Sequence, residues 1–363
     1  MLYSKFQHPA RTFAAHALWR MPGRFGVARI FGPSYSLRCV VFHNISVVES
    51  PFTTGTNVST TPSKFEAALK FLTTYYEPVR LEDVLINPDG KRLPARAVLV
   101  TFDDAYASVA DVAAPLCQKF GVPAVFFVNA AFLDNQRLAP DNLVCYVANV
   151  LGMETIKSAA RAVRGADSPE LHHLSDVFGR FLPSLMLVER EAFLEALRSS
   201  GGINERCLAK EAGLYLTGEQ LRGLASVDFE IGNHTYSHVH CRSLRREDFG
   251  QEIDRNKAEL EAASGTKVRS FSQPYGSSKD LTPELIRHLK QSGYEAVFLS
   301  ESVANPPSAD PFHLDRVNSR VDGDDTFFLE LEILPRLRAV RNQFFRDSGD
   351  APNRANSFQP EAN

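Results

Sequence analysis

The sequence predicts an α/β fold built on a parallel sheet, and two observations carry that prediction. Short apolar runs alternate with longer stretches of helical pattern along the chain, which is the rhythm of repeated strand and helix units. Most of these runs also end in polar residues of the kind that do chemistry. In parallel α/β folds, barrels above all, active sites are built at the carboxyl ends of strands. The runs are RCVVFHNIS, RAVLVTFDD, VPAVFFVNA, VDFEIGNHT, VRSFSQPYG, YEAVFLSES and FHLDRVNSR. Their near-continuous apolar character suits strands covered on both faces. At their ends stand His43, Asp103 with Asp104, His234, Gln273 to Gly276, and Arg316.

With 363 residues, 44% hydrophobic content and a formal net charge of −3, the chain has room for one large domain or two ordinary ones. It has no general character of a polyanion binder, so no nucleic-acid partner is expected. Five cysteines, Cys39, Cys117, Cys145, Cys207 and Cys241, are scattered without a CxxC. That predicts idle thiols rather than a disulfide framework or a thiolate zinc site.

Residues 1–36 form a basic N-terminal arm. Lys5, Arg11, Arg20, Arg24 and Arg29 alternate with Phe6, Phe13, Leu18, Trp19, Met21, Phe25 and Ile30, and no acid precedes Glu49. Two readings stand: peripheral contact with an anionic membrane surface, or a helical arm packed on its own domain, because Pro22, Gly23 and Gly32 interrupt the pattern. The arm lacks the apolar core and cleavage site of a secretory signal, and no apolar run reaches the ~18 residues of a membrane span. A cytoplasmic or membrane-associated location is the expectation. Residues 37–345 make the main domain, interrupted at about 130–224 by a helical insertion read from LVCYVANVLGMETIKSAARAVR and LVEREAFLEALRSS. No linker rich in Pro, Gly and Ser isolates that insertion as a separate domain. Residues 346–363 have the composition of a disordered tail.

The adjacent acids of VLVTFDDAY pose a physical problem. Two partly buried carboxylates side by side repel, and one would be driven toward protonation unless a cation intervened. GNHTYSHVH places His234 and His238 four residues apart, so on a helical turn both imidazoles would project from one face. Two imidazoles and one carboxylate are a common ligand set for catalytic zinc, with a position left open for water.

In order along the chain, TFDDAY, HTYSH and QPYGS resemble the first three motifs of the polysaccharide deacetylase family, the NodB-homology or carbohydrate esterase 4 group. The likeness spans roughly residues 36–319 apart from the insertion. It implies a distorted (β/α) barrel and metal-dependent hydrolysis of the N-acetyl group of an amino sugar. It also implies roles: Asp103 as general base, and Asp104, His234 and His238 as ligands of a divalent metal, zinc first. Ala105 stands where the family usually has glycine, which predicts a turn without positive φ.

An amide needs an acid to protonate its leaving amine. The resemblance offers two candidates, His313 in the late stretch PFHLDRV and His43 in VVFHNIS, which is similar to a strand of family members with permuted motif order. His43 is favoured because it follows an apolar strand as the other site residues do. The family's arginine on the catalytic Asp is replaced at its usual place by Ser272, so Arg316 is the expected substitute. A backbone N–H near Tyr275 is the expected oxyanion donor. The family's tryptophan-bearing motif is absent, since the only tryptophan is Trp19; Phe298 and Leu299 are the candidates for an apolar wall around the acetyl methyl.

The expected function is therefore a metal-dependent deacetylase acting on an N-acetylated glycan or glycan precursor. Two alternatives stay open: deacylation or deformylation of a lipid-linked sugar or small amide, and a non-catalytic carbohydrate-binding barrel.

Overall fold

The computed structural model describes residues 2–32, 37–87, 92–227, 229–306, 309–318 and 321–347. The proposed tail beyond 347 lies outside them. Eight strands follow one another around the main sheet: β1 (Leu37–Phe42), β2 (Ala97–Phe102), β3 (Ala124–Val128), β4 (Glu230–Asn233), β5 (Ser270–Ser272), β6 (Ala296–Leu299), β7 (Leu314–Asp315) and β8 (Val317–Asn318). Their order in the sheet is β7-β6-β5-β4-β3-β2-β1-β8, and the pairs are parallel. Because β7 and β8 are separated only by Arg316, the segment 314–318 pairs with β6 through its first half and with β1 through its second. The sheet thus returns to its start through one short segment, giving a nearly closed parallel barrel, the architecture expected of the distorted (β/α) class.

Residues on successive strand positions sort into two cores, as a period of two demands. Leu37, Cys39, Ala97, Leu99, Val125, Phe127, Ala296, Phe298 and Leu314 fill the barrel interior. Val40, Phe42, Val98, Val100, Phe102, Phe126, Val128, Ile231, Phe271, Val297 and Leu299 belong to the larger core on the outer face, under the helices. That double burial is why the runs read as continuously apolar. Gly232 is required on β4, since a Cβ there would stand 2.3 Å from the Phe127 ring that fills the interior.

The helices that cover the barrel follow familiar start signals. Helix α1 is Leu2–Arg20. Helix α2, Pro62–Tyr75, has Thr61 as a cap accepting from the Lys64 amide, with Pro at its first position. Between β3 and β4 lies a mainly helical stretch that includes α3 (Pro140–Tyr146), α4 (Met153–Arg164), α5 (Leu187–Gly201) and α6 (Glu205–Ala212). It has a core of its own, built on Phe132, Leu143, Ile156, Phe181, Phe193, Leu197 and Tyr215. Helix α7, Leu334–Asp347, follows the closing segment.

The arm packs against its own domain. Trp19 meets the rings of Phe71, Tyr75 and Phe328 at 5.3–5.6 Å, with the Arg24 guanidinium 3.9 Å above it. Arg11 bonds Glu330. No helix of the described residues is long and apolar enough to cross a membrane. All five cysteines are free, and four of them are buried.

Candidate metal and catalytic site

Carrying the inward alternation one step past the strand ends brings His43, Asp103, His234, Ser272, Ser300 and Arg316 to the carboxyl mouth of the barrel. Asp103 lies just beyond β2, its amide donating to the Phe42 carbonyl at 3.0 Å. Arg316, fully buried, reaches across the interior and grips it with two parallel bonds of 2.7 Å. The guanidinium is itself fixed by Ser272 Oγ (2.8 Å), Ser300 Oγ (2.9 Å), Thr101 Oγ1 (3.2 Å) and the Leu299 carbonyl (3.0 Å). Ser272, at the family's arginine position, thus helps to hold the arginine that comes from the seam. Burial alone would raise the Asp103 carboxyl; Arg316 first, then His234, outweigh it and hold it below the usual carboxylate value.

Strict alternation would turn Asp104 outward. It faces the mouth instead because the chain bends there, with φ +74° at Asp104 and +58° at Ala105. The expected turn without positive φ is therefore incorrect. Alanine occupies a left-handed conformation because both acids must serve one cleft, and the amide of Leu216 pins the turn by donating to the Ala105 carbonyl at 2.9 Å.

The HTYSH segment also departs from expectation. It is a loop after β4, not a helical turn, with φ +59° at Thr235 and +53° at His238. Its backbone is held by side chains instead of by helical bonds. Asn129 donates to the carbonyls of His234 and Thr235. Glu252 accepts from the Ser237 amide (2.9 Å) and hydroxyl (2.8 Å), and Arg190 of α5 donates to the carbonyls of Ser237 and His238. The loop still delivers both imidazoles to one place: His234 Nε2 and His238 Nε2 stand 3.3 and 3.2 Å from Asp104 Oδ1. Ligand atoms of the three residues all lie within 4.8 Å of one another.

The far nitrogen of each ring lies close to an oxygen, in hydrogen-bond geometry for His234 only. His234 Nδ1 lies 2.8 Å from the Ser272 carbonyl, and His238 Nδ1 lies 2.6 Å from Asp141 Oδ2. Both Nε2 atoms are thereby directed at Asp104, the arrangement a divalent ion takes from imidazole donors. Burial lowers the His238 pKa, but Asp141 and Asp104 reverse this and carry it up to about 10; a proton there occupies charge space that a cation would otherwise fill. The donor set therefore fits zinc or a similar ion.

His43 is half-buried just past β1. Burial pushes its ring below the usual histidine value, against the pull of Asp104 and Asp103. His313 precedes β7, so it lies at the opposite end of the barrel, exposed and paired with Asp310 at 3.1 Å. Tyr275 has φ +62°, and among the described residues its amide N–H has no acceptor. The next residue must be glycine: at φ +64°, a Cβ on Gly276 would meet the Ser300 nitrogen at 2.4 Å. The suggested apolar wall is not formed by Leu299, which faces the outer core, nor by Phe298, which lies in the interior layer against Phe127.

Sequence reasoning missed Asp141 and Arg190. Asp141 sits in the first turn of α3, where an acid reads as a complement to the helix dipole. Arg190, within the LVEREAF pattern, reads as a solvated helical charge.

Residues 192–297 match the sequence model of the polysaccharide deacetylase family; that stretch includes His234, His238 and Tyr275 but not the paired acids. No curated protein matches the sequence. Among solved structures, the chain is similar to the deacetylase PplD of Streptococcus pyogenes, determined in complex with acetate, at 14% identity and a TM-score of 0.53 over 82% of this chain and 97% of that one. It is likewise similar to IcaB from Ammonifex degensii, at 18% identity and a TM-score of 0.51 over 83% of this chain and 98% of that one. At these identities the likeness is one of fold. The barrel fold is thus shared with solved deacetylases, and residues 192–297 match the polysaccharide deacetylase model.

Proposed function

We propose that the protein is a metal-dependent deacetylase of an N-acetylated amino-sugar glycan or glycan precursor. The observation that carries this reading is the convergence of Asp104, His234 and His238 beside a carboxylate, Asp103, clamped by a buried arginine. Asp104, His234 and His238 would hold the ion, zinc being best suited to two imidazoles and a carboxylate. Such a cation, when bound, polarises the acetamide carbonyl and acidifies water enough for attack near neutral pH.

The rest falls to the chain. Asp103, kept anionic by Arg316, takes the proton of the attacking water. The Tyr275 N–H donates to the carbonyl oxygen as it gains charge. His43, in its protonated form, gives its proton to the departing nitrogen. Water and amide become acetate and free amine, and Asp103 returns its proton to restore His43.

The test combines metal content with acetate release over chitooligosaccharides, poly-N-acetylglucosamine, peptidoglycan fragments and lipid-linked sugars. The expected result is near one zinc per chain and acetate from at least one glycan. Asp104→Ala should lose most of the metal. Asp103→Asn should keep it and lose ~10²–10⁴-fold in turnover. Wild-type protein that takes up no divalent metal would reduce the reading to a carbohydrate-binding barrel.

A further inference from the structure

The two imidazoles that face Asp104 are held by different parts of the molecule. His234 is oriented by the barrel itself, through the Ser272 carbonyl at the end of β5. His238 is oriented from outside it, by a carboxylate on α3, the first helix after β3. We propose that Asp141 is a positioning residue for the metal site, so that the site is complete only when the helical stretch between β3 and β4 is docked on the barrel. This rests on the metal-dependent reading above.

The geometry carries the argument in three steps. First, Asp141 has two neighbours of donor type: His238 Nδ1 at 2.6 Å from Oδ2, and the Tyr275 hydroxyl at 2.8 Å from Oδ1 and 3.0 Å from Oδ2. The Tyr275 hydroxyl donates to this carboxylate, and the close contact at Nδ1 holds the His238 ring with Nε2 toward Asp104. Second, the tyrosine that shares the carboxylate is fixed in place. The His240 ring lies face to face with it at 3.6 Å and an interplanar angle of 7°, so Asp141 is anchored on the side away from His238. Third, His238 needs such a device more than His234 does. It stands in a left-handed conformation within a loop that lacks helical bonds, and its carbonyl is held by Arg190, again from outside the barrel.

A residue whose only role is to fill space next to His238 would change stability when altered, whereas a positioning residue changes the ion affinity and the surroundings of the ligating ring. Zinc dissociation constants by competition with a chromophoric chelator, on the full chain, separate the two. We expect Asp141→Ala to bind zinc ~10–100-fold more weakly than wild type, with Asp141→Asn between them because its amide oxygen still accepts one bond. Nitrogen-15 spectra of the histidine rings in the zinc-loaded protein should show the His238 signals displaced in Asp141→Ala while those of His234 stay as in wild type.

Zinc affinity within about twofold of wild type in Asp141→Ala, with unchanged His238 ring signals, would overturn the proposal while leaving the metal reading intact. Failure of the wild type to bind zinc would remove the metal reading itself, a different and separately visible result. Should Asp141→Ala not fold, Asp141→Asn decides the matter by the same two measurements: unchanged affinity and ring signals overturn the proposal, and weakened binding supports it.

Discussion

Ala105 occupies a backbone conformation that costs an L-residue about 1–2 kcal/mol, and it does so to turn Asp104 into the cleft. Glycine there would relieve that strain, at a cost of about 0.4–1 kcal/mol from the freer unfolded chain. Ala105→Gly is therefore expected to leave stability unchanged or raise it by up to about 1 kcal/mol. Ala68→Gly, buried within α2, should lower it by about 1 kcal/mol. Urea unfolding midpoints of the two variants compare the signs directly. At Arg316 the expectation is severe: Arg316→Met strips a buried carboxylate of its partner, which typically costs about 3–5 kcal/mol. The Asp103 pKa should then rise, and the acid limb of the pH–rate profile should move upward with it. The paired acids and the two histidines were legible in the sequence because their residue types and spacing are unusual in themselves. The bend at Ala105 was not, since nothing about an alanine announces a left-handed turn, and the residue type argues against one.

Among the elements, the closing segment 314–318 carries the clearest titration. Burial, with help from Glu301, pushes the Asp315 carboxyl up to about 7, although the backbone amides of Glu301, Val303 and Ser302 draw it back. An acid whose folded pKa is raised binds its proton more tightly in the folded state. Its contribution is fully present below the unfolded value near 3.8 and is lost as pH rises toward about 7. The melting temperature should fall across that window, and Asp315→Asn, which still offers an oxygen to the Glu301 amide, should flatten the slope. An unchanged slope in that variant would assign the fall to other groups. The strands were readable because both of their faces are buried, which makes each one a dense apolar run. The HTYSH loop was misread as a helical turn because a spacing of four suits a helix. What decides its shape is the set of distant side chains, Asn129, Arg190 and Glu252, that take up its backbone polar groups. Contacts of that kind leave no local pattern. Asp141 escaped notice for the same reason.

At the scale of the whole molecule, the basic arm is part of the fold. Trp19 is the only tryptophan and sits among Phe71, Tyr75 and Phe328. Trp19→Ala is expected to cost about 2–4 kcal/mol, read from chemical unfolding followed by circular dichroism. In the wild type, the fluorescence of this one residue should report arm docking, with emission shifting to the red on unfolding. A Trp19→Ala variant as stable as wild type would mean that the arm contributes no packing.

The placement of Arg316 in the seam has a consequence in time. Asp103 and its guanidinium are 213 residues apart, so at ~5–20 residues per second a ribosome makes the acid about 10–40 s before its partner. Throughout that interval the segment that closes the barrel is missing, and Asp103 lacks the guanidinium that clamps it. The same stroke that docks the last strands of the sheet brings the arginine to Asp103. A half-made chain therefore has neither a closed barrel nor a clamped Asp103, and the proposed site is complete only with the finished fold.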